Sequence, residues 1–270
     1  MTDYPHCRDA WAYANDVRDE TIPSCKYIKL AVERFFADME REDLTFNYDE
    51  VEKFCNFCGH LPHVKGKWAQ QQKRFDLEPW QKFKFANLFG FYRVSTGKRK
   101  YQECLNIIPR KNGKSIDAAA VGLYMLTSDN EFGSEVYCGA TSEKQANEVF
   151  TPAKRMLKSN PELMNFLDLS IQTQSIFRES DGAFFQRVIG DPPDGTSPHC
   201  GIVDEYHEHK KDAVYKTFQT GMGARENPLL YVITTAGDNI SGPCHEKAQE
   251  CIQILEGVLT DDHADSTLVL

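Results

Sequence analysis

The sequence predicts an α/β fold with a mostly parallel sheet, preceded by a helical N-terminal segment. From Lys100 onward, short apolar runs alternate with helical stretches, the pattern of βαβ units. Before that point the apolar residues recur at helical spacing, as Leu30, Val32, Phe35, Phe36 and Met39 do. Between an apolar strand and a helix lies Ile107 to Ser115, a stretch ending in Gly-Lys-Ser.

Each element has its own signal. Helices are expected at 10–17, 28–41 and 47–57, with Pro23 and Ser24 separating the first two and Gly59, Pro62 and Gly66 ending the pattern. Leu77-Glu-Pro-Trp80 opens another, with Pro79 in its first turn and an aromatic stripe at Phe83, Phe85, Phe89 and Phe91. Five strands follow: 101–108, 135–140, a hairpin over 170–189 turning at Asp181-Gly182, 200–204, and 229–235. Helices at 115–127, 143–159, 211–222 and 243–255 lie between and after them. The organisation expected is a helical segment and lid over 1–95, a core over 96–257 and a short tail over 258–270.

Composition excludes several classes. With 41% hydrophobic and 26% charged residues among 270, the chain is neither disordered, collagen-like nor a coiled coil. No apolar stretch approaches the roughly 18 residues that cross a bilayer, and Asp3, His6, Arg8 and Asp9 stand where a signal peptide needs an apolar run, so no membrane association and a cytoplasmic location are expected. Nine cysteines, an odd number without a secretion signal, argue against a disulfide framework. A net charge of −9 excludes a surface that is basic throughout, yet residues 65–115 hold 13 Lys and Arg against three acidic residues.

A phosphate-binding loop needs a strand that ends abruptly, backbone N–H groups that wrap an anion, a lysine for the terminal phosphates and a hydroxyl for Mg²⁺. Lys111, Asn112 and Gly113 supply the backbone, Lys114 the ammonium and Ser115 the hydroxyl. The loop is deviant, because Ile108 stands where the usual spacing has its first glycine. Further on, Cys200-Gly-Ile-Val-Asp-Glu205 reads as an apolar strand ending in two carboxylates. Phosphoanhydride hydrolysis divides its work between such groups, with Asp204 as metal partner and Glu205 as base. Leu229 to Gly237 is a buried strand closing on Thr234 and Thr235, hydroxyls suited to sensing phosphate or attacking water. Upstream, Trp80 or Phe75 could face a base, and the Gln81 amide could pair with an adenine edge.

In this order the elements form a recognisable set. Leu77-Glu-Pro-Trp-Gln81, Pro109-Arg-Lys-Asn-Gly-Lys-Ser115, Ile202-Val-Asp-Glu-Tyr-His207, Gly221-Met-Gly-Ala-Arg225 and Ile233-Thr-Thr-Ala-Gly237 together resemble the large terminase subunit of tailed bacteriophages over nearly the whole chain. The resemblance implies a three-layer P-loop ATPase core that uses ATP and Mg²⁺ to drive double-stranded DNA into a prohead. A homo-oligomeric ring, a small terminase subunit, a portal protein and the cytoplasm of an infected or lysogenic bacterium come with it. Lys114 and Ser115 match the family's phosphate lysine and Mg²⁺ hydroxyl, and Arg110 an arginine inside its loop. Asp204 and Glu205 match its metal and catalytic carboxylates, Gln81 its adenine-reading glutamine, and Thr234 to Gly237 its coupling motif. Arg225 and Arg155 are both open as a finger acting on a neighbouring subunit. Family members of this type continue into a nuclease domain; the chain ends soon after Gly237, so DNA cutting is not expected of it.

Other readings compete. A helicase-like translocase would also suit Gln81 and Asp204-Glu205, but needs a second domain of about 150 residues. A nucleotide-gated adaptor would bind ATP without needing Glu205. Cys55, Cys58, His60 and His63 have zinc-ligand chemistry, but only Gly59 separates the two pairs, against a dozen or more residues in most structural sites. His207 and His209 read as a polar rim, and Lys98-Arg-Lys100 as either a solvated turn or a DNA-facing patch.

Overall fold

The computed structural model describes residues 3–190 and 195–270. In chain order the helices are α1 (Pro5–Arg18), α2 (Lys26–Met39), α3 (Tyr48–His60), α4 (Gly66–Gln70), α5 (Pro79–Gly90), α6 (Lys114–Thr127), α7 (Glu143–Lys158), α8 (Pro161–Phe166), α9 (Ala213–Gly221), α10 (Pro243–Leu255) and α11 (Asp262–Ser266). The strands are β1 (Leu44–Phe46), β2 (Phe91–Arg93), β3 (Glu103–Ile107), β4 (Glu135–Ala140), β5 (Leu169–Ile171), β6 (Ser175–Arg178), β7 (Phe184–Ile189), β8 (Cys200–Asp204), β9 (Leu229–Thr234) and β10 (Thr267–Val269). Two compact units result, one of residues 1–59, 76–105 and 248–270, the other of residues 60–75 and 106–247.

The first unit is helical around an aromatic cluster. Phe35 packs edge-on against Trp11, Phe46, Phe83 and Phe91, with ring centroids 4.8 to 6.1 Å apart. Helix α5 starts at Pro79, whose missing N–H costs nothing in a first turn, and Glu78 and Gln81 close a reciprocal capping box around that start. Strand β10 pairs in parallel with the beginning of β3, Thr267 against Glu103 and Val269 against Leu105. Its three residues are too few to show a period, which is why the sequence reading assigns no strand to residues 258–270.

In the segment Lys98-Arg-Lys100, expected as a solvated turn or a DNA-facing patch, Arg99 and Lys100 match neither reading, while Lys98 is half-buried. Arg99 is 1% and Lys100 0% exposed. Lys100 Nζ lies 2.5 Å from Asp38 Oδ2 and 3.4 Å from Asp265 Oδ1, and the Tyr101 hydroxyl donates to Asp38 at 2.7 Å. Burial pulls the Lys100 pKa below the ordinary lysine value, against the opposing pull of Asp38. Two of the three charges that suggest a contact surface, those of Arg99 and Lys100, lie inside the protein.

In the second unit the strand order is β9-β8-β4-β7-β6-β5, parallel from β9 to β7 and antiparallel from β7 to β5. The end of β3 joins beside β9, where the Asn106 amide donates to the Val232 carbonyl and the Ile108 N–H to the Thr234 carbonyl, both at 3.0 Å. Strands β8 and β9 are buried at every residue, as continuous apolar runs in a parallel sheet require. Side chains alternate across a strand, and two consecutive residues of β8 place helices on both faces. A Cβ on Gly201 would come within 2.8 Å of Phe218 on α9, whereas Ile202 meets Gly122 of α6. The unit therefore has three layers. The expected hairpin over 170–189 turns at Asp181-Gly182, with Gly182 at φ +74°, and β5 extends it to a three-stranded meander. Among the described residues no helix is long and apolar enough to cross a membrane.

Replacing Lys100 with Ala would leave Asp38 and the Tyr101 hydroxyl buried without their ammonium partner. The expected loss is about 3 kcal/mol of folding stability, read as a lower midpoint in denaturant titration. An unchanged midpoint would contradict the buried network.

Candidate functional site

The phosphate-loop candidate lies between the end of β3 and the start of α6. Ile108, just past β3, still donates to the Thr234 carbonyl, so the position that usually holds the first glycine stays bonded beside β9 here. The chain turns two residues later. Lys111 has φ +70° and Gly113 φ +81°, and left-handed backbone at a lysine is uncommon. Gly113 caps α6, and the Asn112 amide is within reach of the Pro109 and Arg110 carbonyls, at 3.3 and 3.4 Å. A helix that begins with unpaired N–H groups behind a left-handed turn presents positive dipole ends to an anion. Arg110, Lys111 and Asn112 are exposed and Ser115 is half-buried.

Lys114 is 7% exposed, and its Nζ lies 2.8 Å from Glu205 Oε1. The carboxylate sits where β8 ends, at φ +48°, a left-handed conformation unusual for glutamate. Asp204 precedes it at 1% exposure, and neither of its carboxylate oxygens receives a full hydrogen bond among the described residues. Burial, followed by the neighbouring Glu205 charge, pushes the Asp204 pKa up to about 7, although Lys114 pulls the other way. A buried carboxylate with empty lone pairs beside a lysine suits a hard cation such as Mg²⁺, which takes one or two carboxylates and completes its shell with phosphate oxygens and water. Among the described residues no group of three or more His, Cys, Asp or Glu side chains could hold a metal alone.

Two histidines that read from the sequence as a polar rim are part of this arrangement. After Glu205 the chain makes a single 3-10 turn, Tyr206–Glu208, that folds His207 back over the strand ends. The His207 backbone N–H donates to Thr234 Oγ1 at 3.1 Å. Its Nδ1 lies 3.1 Å from the same hydroxyl and 3.3 Å from Glu205 Oε2, and its Nε2 lies 3.4 Å from Thr235 Oγ1. Gly237 completes the contact: at φ +66° it approaches so closely that an added Cβ would stand 2.7 Å from that of His207. His209, 2% exposed, donates from Nε2 to the Asp204 carbonyl at 3.0 Å, and burial lowers its pKa. The sequence signal for His207 is its place two residues after the acidic pair, within one tight turn of the strand end.

The remaining candidates have their own contacts. Gln81 is 4% exposed and its Oε1 accepts from the Glu78 N–H at 2.9 Å, so that oxygen serves the start of α5. Trp80 is half-buried, with Lys84 Nζ 5.4 Å from its ring centre. Arg225 is held within its own chain by Glu131 at 3.0 Å, Glu135 at 3.2 Å and the Ser197 carbonyl at 2.8 Å, whereas Arg155 is exposed on α7. Cys55 and Cys58 are buried on α3, and His63 packs its ring 4.7 Å from that of Trp68.

Strand, left-handed glycine turn, helix opening on Lys-Ser and a neighbouring strand ending in paired carboxylates define the class of P-loop α/β proteins. The family model of the terminase large subunit, ATPase domain, matches residues 79–252, and the chain belongs to that family. The large terminase subunit of Enterobacteria phage HK97 is 30% identical over 194 residues, which are 70% of this chain and 36% of that protein. Protein YmfN of Escherichia coli strain K12 is 59% identical over 69 residues, 26% of this chain and 15% of YmfN. The crystal structure of the HK97 large terminase has the same fold, with a TM-score of 0.65 at 22% identity over 81% of this chain and 43% of the other. The chain thus spans about a third of the HK97 protein and a smaller share of YmfN.

The Asp204 geometry carries a stability consequence. Its folded pKa is raised from 3.8 to about 7, so between those values the folded state binds the extra proton and wild-type stability falls as pH rises. Asp204→Asn removes that penalty. Without nucleotide or metal, the variant should be more stable than wild type by on the order of 2 kcal/mol at about pH 8, with the gain shrinking toward about pH 4. Denaturant titrations at the two pH values check this, and a variant less stable at the higher pH would contradict it.

Proposed function

We propose that the chain is the ATP-hydrolysing part of a motor that drives double-stranded DNA into a phage prohead. The observation that carries the proposal is the 2.8 Å approach of Lys114 to Glu205, with the buried Asp204 beside them. These residues lie far apart in sequence, and each is unusual by itself: a buried ammonium, a carboxylate without full hydrogen bonds and a glutamate in left-handed backbone. A triphosphate explains all three. Its terminal oxygens would draw Lys114 from Glu205, and the backbone N–H groups around Lys111, Asn112 and Gly113 would hold its inner phosphates. Ser115 and Asp204 would hold Mg²⁺, which would supply charge neutralisation to the phosphates.

Released from the lysine, Glu205 is the group that orients the attacking water and takes its proton. His207 restrains it by facing Oε2, and through Thr234 and Thr235 links that carboxylate to the end of β9. Arg110, exposed on the loop, offsets charge on the transferring phosphoryl group. Recognition of the adenine by Gln81 and Trp80, a homo-oligomeric ring, recruitment by a small terminase subunit, docking on a portal protein and work in the host cytoplasm complete the same reading. Family membership supports them.

Hydrolysis of ATP by wild type, Lys114→Ala and Glu205→Gln proteins, with and without duplex DNA, tests the proposal. The lysine variant should lose nucleotide affinity, and the glutamine variant should keep it while losing turnover by about a hundredfold or more. Equal turnover in all three would end the ATPase reading. His207→Ala should lower kcat by about tenfold, a fraction of what a positioned base contributes, and leave KM unchanged. Partial rescue by His207→Asn is expected, and a change in KM alone would contradict the positioning role.

A further inference from the structure

Residues 60–75 form an excursion of the second unit that the ATPase reading does not use. Its ends are tied together: the His63 N–H donates to the Lys73 carbonyl at 2.9 Å, the Phe75 N–H to the Leu61 carbonyl at 2.7 Å, and Pro62 bridges Arg74. Between the ties lies the short helix α4, closed by the Lys73 N–H on the Trp68 carbonyl at 3.0 Å. The His63 ring stands between Trp68 and the buried Phe75, at 4.7 and 5.5 Å. The excursion is therefore an internally tied loop.

Its chemistry is one-sided. No acidic residue occurs from His60 to Phe75, and Lys65, Lys67, Gln70, Gln71, Gln72, Lys73 and Arg74 are all exposed. Trp68 leaves 51% of its surface in solvent. The loop lies beside α7 and the residues that follow it: Lys65 pairs with Glu148 at 3.5 Å and the Asn160 amide donates to the His60 carbonyl at 3.1 Å. Glu143, the other carboxylate of that helix, is paired with Arg187, which leaves Lys144, Arg155 and Lys158 exposed without a carboxylate partner among the described residues. In a chain of net charge −9 this face is a local reversal of sign.

We propose that the 61–75 loop, with the adjoining face of α7, grips the phosphate backbone of duplex DNA. Exposed cations on an internally tied loop that itself carries no acidic residue suit a periodic polyanion, the glutamine amides can donate to phosphate and sugar oxygens, and an exposed indole can lie against the sugar edge of a groove. An acidic protein would satisfy the lysines but gives less reason for three consecutive exposed amides. The choice of duplex DNA rests on the packaging reading; the surface itself rests on the geometry above.

Fluorescence anisotropy of a labelled random-sequence duplex of about 30 base pairs, titrated with the full chain at several salt concentrations, tests this. The combined Lys67→Gln, Lys73→Gln and Arg74→Gln variant should bind at least about tenfold more weakly, and the slope of log affinity against log salt should fall by about 0.9 for each phosphate contact removed. Trp68→Ala should weaken binding without altering that slope. ATP hydrolysis measured without DNA should be the same in all of these proteins. Wild-type and triple-variant curves that coincide would overturn the surface, and DNA-stimulated hydrolysis in both would then leave the packaging reading standing. Absence of wild-type binding at about 50 mM salt, or equally tight binding of polyglutamate through the same three residues, would also overturn the assignment. If the triple variant loses DNA while wild-type hydrolysis is absent, the surface stands and the motor reading fails.

Discussion

The ion pair between Lys114 and Glu205 is the contact around which the second unit makes chemical sense. An ammonium at the start of a helix and a carboxylate at the end of a strand are both costly to bury, and each is affordable only because the other is present. The sheet order enforces the meeting. Strand β9 lies between the end of β3 and β8, so the loop after β3, the acidic end of β8 and the hydroxyls ending β9 open at one edge. That edge is the carboxyl end of the parallel strands, where open α/β sheets place their ligands. Asp204, buried with unfilled lone pairs, and Glu205, in left-handed backbone, are stability given up at this edge.

Much of this was legible in the sequence, and what was not has identifiable causes. The runs 135–140, 200–204 and 243–255 coincide with β4, β8 and α10, because continuous apolar runs and a Pro-initiated helix are strong local signals. Strand β10 escaped because it depends on pairing with β3 and not on its own three residues. The three-layer core follows from small residues, Gly122 under one face and Gly201 under the other, whose partners are distant in the chain. The loop, its lysine and the acidic pair carry recognisable chemistry in order. His207 carries none until a tight turn folds it over Thr234, and this is a tertiary fact.

The basic window shows how a charge count misleads without burial. Of its cations, Lys84, Arg99, Lys100 and Lys114 are inside the protein, answering carboxylates or aromatic rings, and only the remainder can meet a partner. Burial thus separates residues that hold the fold from those that can act outside it. It shifts attention from Lys98-Arg-Lys100, the cluster most conspicuous in the sequence, to the 61–75 loop, whose charges are sparser but exposed.

The central claim is that Lys114 and Glu205 are paired because a triphosphate belongs between them. A crystal structure with a non-hydrolysable ATP analogue and Mg²⁺ tests this most directly. The account predicts that Lys114 Nζ moves to the terminal phosphate oxygens, the Lys114–Glu205 contact opens and Glu205 faces the γ-phosphate through a water. A nucleotide bound elsewhere, with the ion pair still closed at its present distance, would contradict it.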